Sequence, residues 1–308
     1  MTQLLISAGP LINQSLSAAI ATIAASFFLY SLVKDIGNQV ARAFSVLLFF
    51  VLVTYIGDLG VSLRQQRPVT GILGEAVGPT LLLTVTAYLG HLLLAVLVAT
   101  TMVARRGSAT DHLLQVAGLT LYSLPSFWLG LMLIMVFAGG LGWLPVGGMR
   151  APDAAYLPPL ARMFDLLRHL CLPAATLALG SFMGTARHLR ASLEEVLDQD
   201  YIVAARARGL SEGVILRRHA LRNALLPVAT LVGLHLPFIL GGAVVVEVVF
   251  GWPGMGRVTV EALWARDYPV IVATTLLSAL AVVGGSLVAD VLYRRIDPRV
   301  RGTGGGAS

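Results

Sequence analysis

The sequence predicts an all-α, polytopic membrane protein with about six transmembrane helices. Three observations carry this expectation. Only 12% of the 308 residues are charged and 56% are hydrophobic, whereas a soluble domain is nearer a quarter charged. Mean hydropathy is +0.81, and several apolar runs reach the roughly 20 residues that cross about 30 Å of hydrocarbon as a helix. The runs are continuous and carry glycine, which suits helices and not the alternating strands of a membrane barrel.

Taken in order, residues 11–32 form the first apolar run. It lacks the basic start and small-residue cleavage site of a signal peptide and reads as an uncleaved membrane helix. Residues 43–56 are too short to choose between an interfacial helix and a short span. Residues 79–103 read as a membrane helix closed by Arg105 and Arg106, and Asp111 opens the next segment. Residues 115–137 read as another helix, with Pro125 inside it. A proline there removes a backbone bond and kinks the helix, as a packing feature or as a hinge. Residues 139–168 are rich in Gly and Pro and read as an external loop with surface helices. A span then starts over residues 169–183 and runs on through Arg187, Arg190, Glu194 and Glu195.

A further apolar run covers residues 224–250 and contains Pro227, Pro237 and Gly241-Gly242, a pair that permits close helix contact. Residues 270–292 read as the final span, followed by a basic tail and a Gly-rich end. The implied organisation is an N-terminal part over 1–76, a helical core over 77–293 and a tail over 294–308. Arginines set the topology, because basic residues favour the cytoplasmic side. Arg105 and Arg106, the arginines between Arg187 and Arg222, and the tail's Arg294, Arg295, Arg299 and Arg301 then lie inside. Six helices put both termini inside; a crossing at 43–56 makes seven and puts the N-terminus outside. Six is the expectation.

The most informative stretch is polar and lies between two spans, within residues 192–223. Leu193, Val196, Leu197, Tyr201, Ala204 and Ala205 recur at helical spacing. Gly209 suits the left-handed position just past a helix end. Ser211 is placed to cap a second helix, with Glu212 at its positive N-terminus. Val214, Ile215 and Leu221 give that helix an apolar side. A helix, a glycine turn and a basic helix form an elbow suited to a groove on a soluble partner.

This stretch resembles the cytoplasmic coupling loop, the EAA loop, of bacterial ABC importer permeases, and most resembles their dipeptide/oligopeptide/nickel branch. Val203-Ala204-Ala205 stands where the general pattern has Glu-Ala-Ala, followed by Gly209-Leu210. Arg217 lies in the basic part that follows, and His219-Ala220-Leu221-Arg222-Asn223 is the ending usual in the peptide branch. Val203 and Arg222 depart from the general pattern. Glu247-Val248-Val249-Phe250-Gly251-Trp252-Pro253-Gly254-Met255-Gly256, Arg266-Asp267-Tyr268-Pro269-Val270 and the basic tail match as well. The resemblance starts at Gly57 and runs almost to the C-terminus; the Leu-Pro-Gly-Asp-Pro motif of the family's N-terminal part is missing.

The resemblance implies a type I ABC importer permease fold in the bacterial inner membrane. It implies half of a translocation path for di- or oligopeptides, with nickel or a glycoside as alternative solutes. It further implies a second homologous permease subunit, two ABC ATPase subunits and an extracytoplasmic solute-binding protein as partners. ATP and Mg would then be bound on the ATPase subunits, with no cofactor on this chain. Pro125, Gly241, Gly242, Glu247, Trp252 and Pro253 are the candidates for gate or path; Glu247 either pairs with an arginine or lines the external gate.

Other classes fit less well. A self-contained secondary transporter or channel is the alternative, but intramembrane charge relays and an inverted repeat are not visible. Lys34 is the only lysine and follows Val33, so the Gly-Lys-Ser/Thr of a phosphate-binding Walker loop is absent. The single cysteine, Cys171, excludes an internal disulfide and a Cys-based zinc cluster. None of the six histidines forms an HxxxH or HExxH pair, so neither a metal site nor a catalytic residue is expected. His91 and His235 lie in expected membrane helices, where an interhelical hydrogen bond or a substrate contact is the choice. The net charge of +6 is accounted for by cytoplasmic loops and needs no nucleic acid.

Overall fold

The structure is a computed structural model that describes residues 59–225 and 243–278. The expected spans at 11–32 and 43–56, the prolines Pro227 and Pro237, His235, the pair Gly241-Gly242, most of the final span and the basic tail lie outside the described residues. Those described are helical throughout, apart from turns, loops and one isolated antiparallel bridge between Val61 and Pro68. The chain divides into two compact units.

Helix α1, Val69–Ala104, has 36 residues and contributes to both units. It starts ten residues before the expected Pro79. Val69, Ile72, Leu73 and Ala76 recur at helical spacing and are buried, so packing carries the helix through Pro79. Further along, Leu83, Ala87, His91, Ala95 and Ala99 form one buried stripe, while Leu81, Val85, Leu89, Leu93 and Leu97 are exposed. Both sides are apolar, as expected of a helix with protein on one side and lipid on the other.

The expected span over 115–137 is two helices. Helix α2 is Ala109–Ser123 and α3 is Ser126–Leu133, continued by a π-helical segment Ile134–Gly140. The pair bends by 109°. Proline disfavours the helical conformation of the residue before it. Leu124 accordingly has ψ 137°, and Pro125 itself has ψ 134°. Two consecutive extended residues make a break, where the sequence reading expected a kink.

After a loop with a 3₁₀ turn at Ala154–Tyr156, α4 covers Pro159–Leu179 and α5 covers Phe182–Leu197. Residues 159–168, expected in the external loop, therefore belong to α4. The two helices bend by 52° between them. Helices α6, Asp200–Ala207, and α7, Glu212–Val214, follow, and a π-helical segment Ile215–Ala220 leads to helical residues 221–225. Residues 243–249 form α8, then α9 is Met255–Ala265 and α10 is Tyr268–Ser278. Among the described residues one helix is long and apolar enough to cross a membrane, or up to three if each bent pair is one span.

In the second unit, one core joins Ala95, Ala99 and Met102 of α1 to Phe182, Met183, Ala186, Leu189 and Leu193 of α5. Another joins Leu83 and Ala87 to Leu170, Leu172, Val246, Phe250 and Trp252. The loop before α4 is held close to this second core. Gly148 N–H donates to the Phe250 carbonyl at 2.7 Å, and a β-carbon on Gly147 would run into the same carbonyl.

In the first unit, Val69, Ile72 and Leu73 pack with Ala262, Val270 and Ala273. A single carboxylate ties a loop to this core. Asp267, 3% exposed, accepts from the Ser62 hydroxyl, from Leu63 N–H at 3.1 Å and from Arg64 N–H at 3.3 Å. Ser62 Oγ in turn accepts from Gln65 N–H at 2.9 Å. Arg266, with φ 54°, turns the chain from α9 so that Asp267 reaches the loop. Asp267→Ala removes the acceptor for three donors and is expected to cost about 2 kcal/mol or more. A lowered thermal midpoint in detergent measures it, and Glu261→Ala on exposed α9 serves as a control with little change.

Candidate functional site

The polar stretch between α5 and residue 225 folds as the elbow its residue types dictate. Helix α6 ends in a Schellman motif: Gly209 N–H donates to Arg206 O at 2.9 Å, and Leu210 N–H to Ala205 O at 3.3 Å. Gly209 has φ +81°, the conformation that a β-carbon disfavours. The space around it is open, so its requirement is conformational and not steric.

The elbow has a core of its own. Ile202 and Ala205 from α6 and Ile215 from the following turn are fully buried against one another and against Leu197. Ala205, expected from sequence as part of the coupling loop, is 1% exposed and turned inward, away from any partner. Val203, Ala204, Tyr201, Leu210 and Val214 point outward. Among the basic residues, Arg208, Arg217, Arg218 and Arg222 are exposed and His219 is half-buried. Leu221 packs on the core beneath α5. The elbow's ends are joined by Asn223 Nδ2, which donates to the Tyr201 hydroxyl at 2.7 Å.

An ion pair closes the turn. Arg206 Nε and a terminal nitrogen donate to the two Glu212 oxygens at 2.8 and 3.3 Å. This hydrogen bond holds the Glu212 carboxyl below its ordinary range and raises the Arg206 guanidinium. The pair is exposed and adds little stability. Ser211 takes the cap position expected of it, but its side chain makes no capping bond. Its carbonyl alone serves, accepting from Val214 and Ile215 N–H.

A polar cluster that sequence reasoning missed fixes the base of α5. Arg190 donates to Asp111 Oδ1 at 2.7 Å and Oδ2 at 3.1 Å, and its Nε to Glu194 at 3.0 Å. Gln115 and Gly107 N–H also donate to Asp111. The two carboxylates and Arg190 are visible in sequence, but nothing local pairs residues on α2 and α5.

The described path candidates differ in setting. Pro125 sits in the break between α2 and α3. Glu247 and Trp252 are fully buried, and Trp252 N–H donates to the Glu247 carbonyl at 2.8 Å. Pro253 is exposed. His91, left open between two readings, makes interhelical hydrogen bonds to Ser181 and Thr185.

Residues 91–302 match the family of binding-protein-dependent transport system inner membrane components. The chain belongs to this family. It is 41% identical over 245 residues to an oligopeptide transport system permease protein, AppB, of Bacillus subtilis, covering 79% of this chain and 76% of that one. It is 39% identical over 245 residues to the glutathione transport system permease protein GsiC of Escherichia coli K12, covering 80% and 75%. The fold is shared with a chain of the MetNI methionine ABC transporter in an inward-facing form, with TM-score 0.59 and 16% identity over 74% of this chain and 97% of that one. An amino acid ABC transporter chain matches with TM-score 0.55 and 18% identity over 73% and 94%. This permease is thus an inner-membrane component of a binding-protein-dependent transport system.

The two faces of α6 separate by mutation. Ala205→Glu puts a carboxylate into the core of Ile202 and Ile215 and is expected to cost about 3 kcal/mol or more. Trypsin should then cleave faster after Arg206 and Arg208. Val203→Glu, on the outer face, should leave the cleavage rate as it was.

Proposed function

We propose that this permease supplies half of a translocation path for di- or oligopeptides, and that the elbow seats it on a separate ABC ATPase. The observation that carries the reading is the outward face of the elbow. Tyr201, Val203, Ala204, Leu210 and Val214 form an apolar ridge beside exposed arginines, on a turn that Gly209 shapes. An apolar helix face of this kind suits a groove on a soluble partner. The matching position of the elbow in the family pattern supports the ATPase as that partner, and the names of the relatives support peptides as the solute.

In this reading the elbow, Arg105, Arg106 and the basic tail are cytoplasmic, and six helices cross the inner membrane. A second homologous permease completes the path, two ATPase subunits sit below, and an extracytoplasmic binding protein delivers the solute. ATP and Mg are bound on the ATPase subunits. Closure of the ATPases draws the elbows together, and rigid-body motion of the helices switches the side from which the path is open.

The test is reconstitution with the cognate partners in liposomes and ATP-driven uptake of labelled di- and tripeptides. Val203→Glu places a charge in the docking ridge and should lower co-purification of the ATPase about tenfold or more, since loss of an interface anchor costs upward of about 1–2 kcal/mol. Gly209→Val strains the turn by roughly 1 kcal/mol and tilts α6, so uptake should fall while insertion into the membrane stays normal. Full assembly and uptake in both variants would remove the elbow from the coupling mechanism.

A further inference from the structure

The 52° bend between α4 and α5 is held by a side chain from a third helix. Ser181 lies in the bend. Its hydroxyl donates to the Leu177 carbonyl at 2.8 Å. A hydroxyl has one hydrogen, so towards His91 the Ser181 oxygen accepts, and the Nδ1–H of His91 donates to it at 2.8 Å. The other ring nitrogen, Nε2, is hydrogen-bonded to the Thr185 hydroxyl at 2.9 Å. The ring is buried and lies nearly parallel to Tyr88, with centroids 5.8 Å apart.

His91 belongs to α1, Ser181 to the bend and Thr185 to the first turn of α5. The imidazole therefore grips the break and the helix beyond it at once. From the bend, α5 runs to Leu197, which is packed into the core of the elbow. Moving toward the membrane from the elbow, the bend is the first break in the helix axis after the short turn at Asp198 and Gln199. A displacement of the elbow is carried along α5 as a lever and turns about residues 180–181.

We propose that His91 is a positioning residue for coupling: it sets the angle of the α4–α5 bend, through Ser181 and Thr185, and so converts elbow displacement into movement of the membrane helices. This rests on the elbow being the ATPase contact. Packing alone would be served by an aromatic ring, which stacks on Tyr88 equally well; the two directed hydrogen bonds are what fix an angle.

The experiment measures ATP hydrolysis and peptide uptake together in the reconstituted complex. His91→Phe keeps the ring and loses both bonds. Ser181→Ala combined with Thr185→Val loses the same bonds, together with that from Ser181 to Leu177, and leaves the ring untouched. In both, solute moved per ATP should fall about fivefold or more, the scale of one net hydrogen bond, with hydrolysis and ATPase co-purification within about twofold of the unmodified protein. His91→Asn, whose amide N–H stands near the place of Nδ1–H, should recover part of the ratio. An unchanged ratio in assembled His91→Phe overturns the proposal. So does a proportional fall of hydrolysis and uptake, which marks a packing residue, or a ratio in His91→Asn no better than in His91→Phe. If His91→Phe fails to assemble, the Ser181/Thr185 double variant decides by the same criteria. Absence of ATP-driven uptake by the unmodified complex is a different result: it removes the importer reading, and this inference falls with it.

Discussion

Where water is scarce, every backbone N–H and C=O must find its partner within the protein. The helices of this permease are interrupted repeatedly, and each interruption meets that constraint in its own way. At Leu124 and Pro125 the missing donor is proline's own, so the break leaves one group fewer to satisfy. At the bend after α4, Gly180 N–H still donates to Thr176 O and Ser181 N–H to Ala178 O. Between α3 and Gly140 the ladder widens to a π-helical turn and keeps its bonds. Irregularity is thus obtained with little loss of hydrogen bonding.

The elbow obeys a different rule because it leaves the apolar core. It is too small to be stable alone, and it has only Ile202, Ala205 and Ile215 with Leu197 to build on. Hydrogen bonds shape what remains: the Schellman closure and the exposed Arg206–Glu212 pair close the turn at Gly209, and the Asn223–Tyr201 bond joins the elbow's ends. Apart from Tyr201, whose hydroxyl is tied to Asn223, the outward side chains Val203, Ala204, Leu210 and Val214 are exposed. Residues there are available for a partner, whereas Ala205, one position along from Ala204, is not.

Local chemistry was legible in the sequence; long-range chemistry was not. The Gly209 turn follows from what glycine alone tolerates, and the helix before it from apolar spacing. Pro125 marked an interruption, but its effect on Leu124 makes the interruption a 109° break, which a kink at one residue understates. The α4–α5 bend falls where Ser181 leaves the helical conformation, with φ −130°, and the hydrogen bond between Ser181 and His91 reaches across 90 residues. The Ser62–Asp267 bond spans 205 residues and the Asp111–Arg190 pair 79. Charges and hydroxyls were visible at each position, but pairing them requires the fold.

The length of α1 has a consequence for how this protein sits in lipid. Thirty-six helical residues measure about 54 Å, against about 30 Å of hydrocarbon. Even a steep tilt of about 40° leaves a projection of roughly 41 Å. Part of the rod therefore stands in the headgroups or in water, and exposed Glu75, paired with Arg67, identifies the first turns as the surplus. A change in bilayer thickness is then met by a change of tilt, at a fraction of a kcal/mol per Å of mismatch, with the polar first turns as the part that can leave the hydrocarbon.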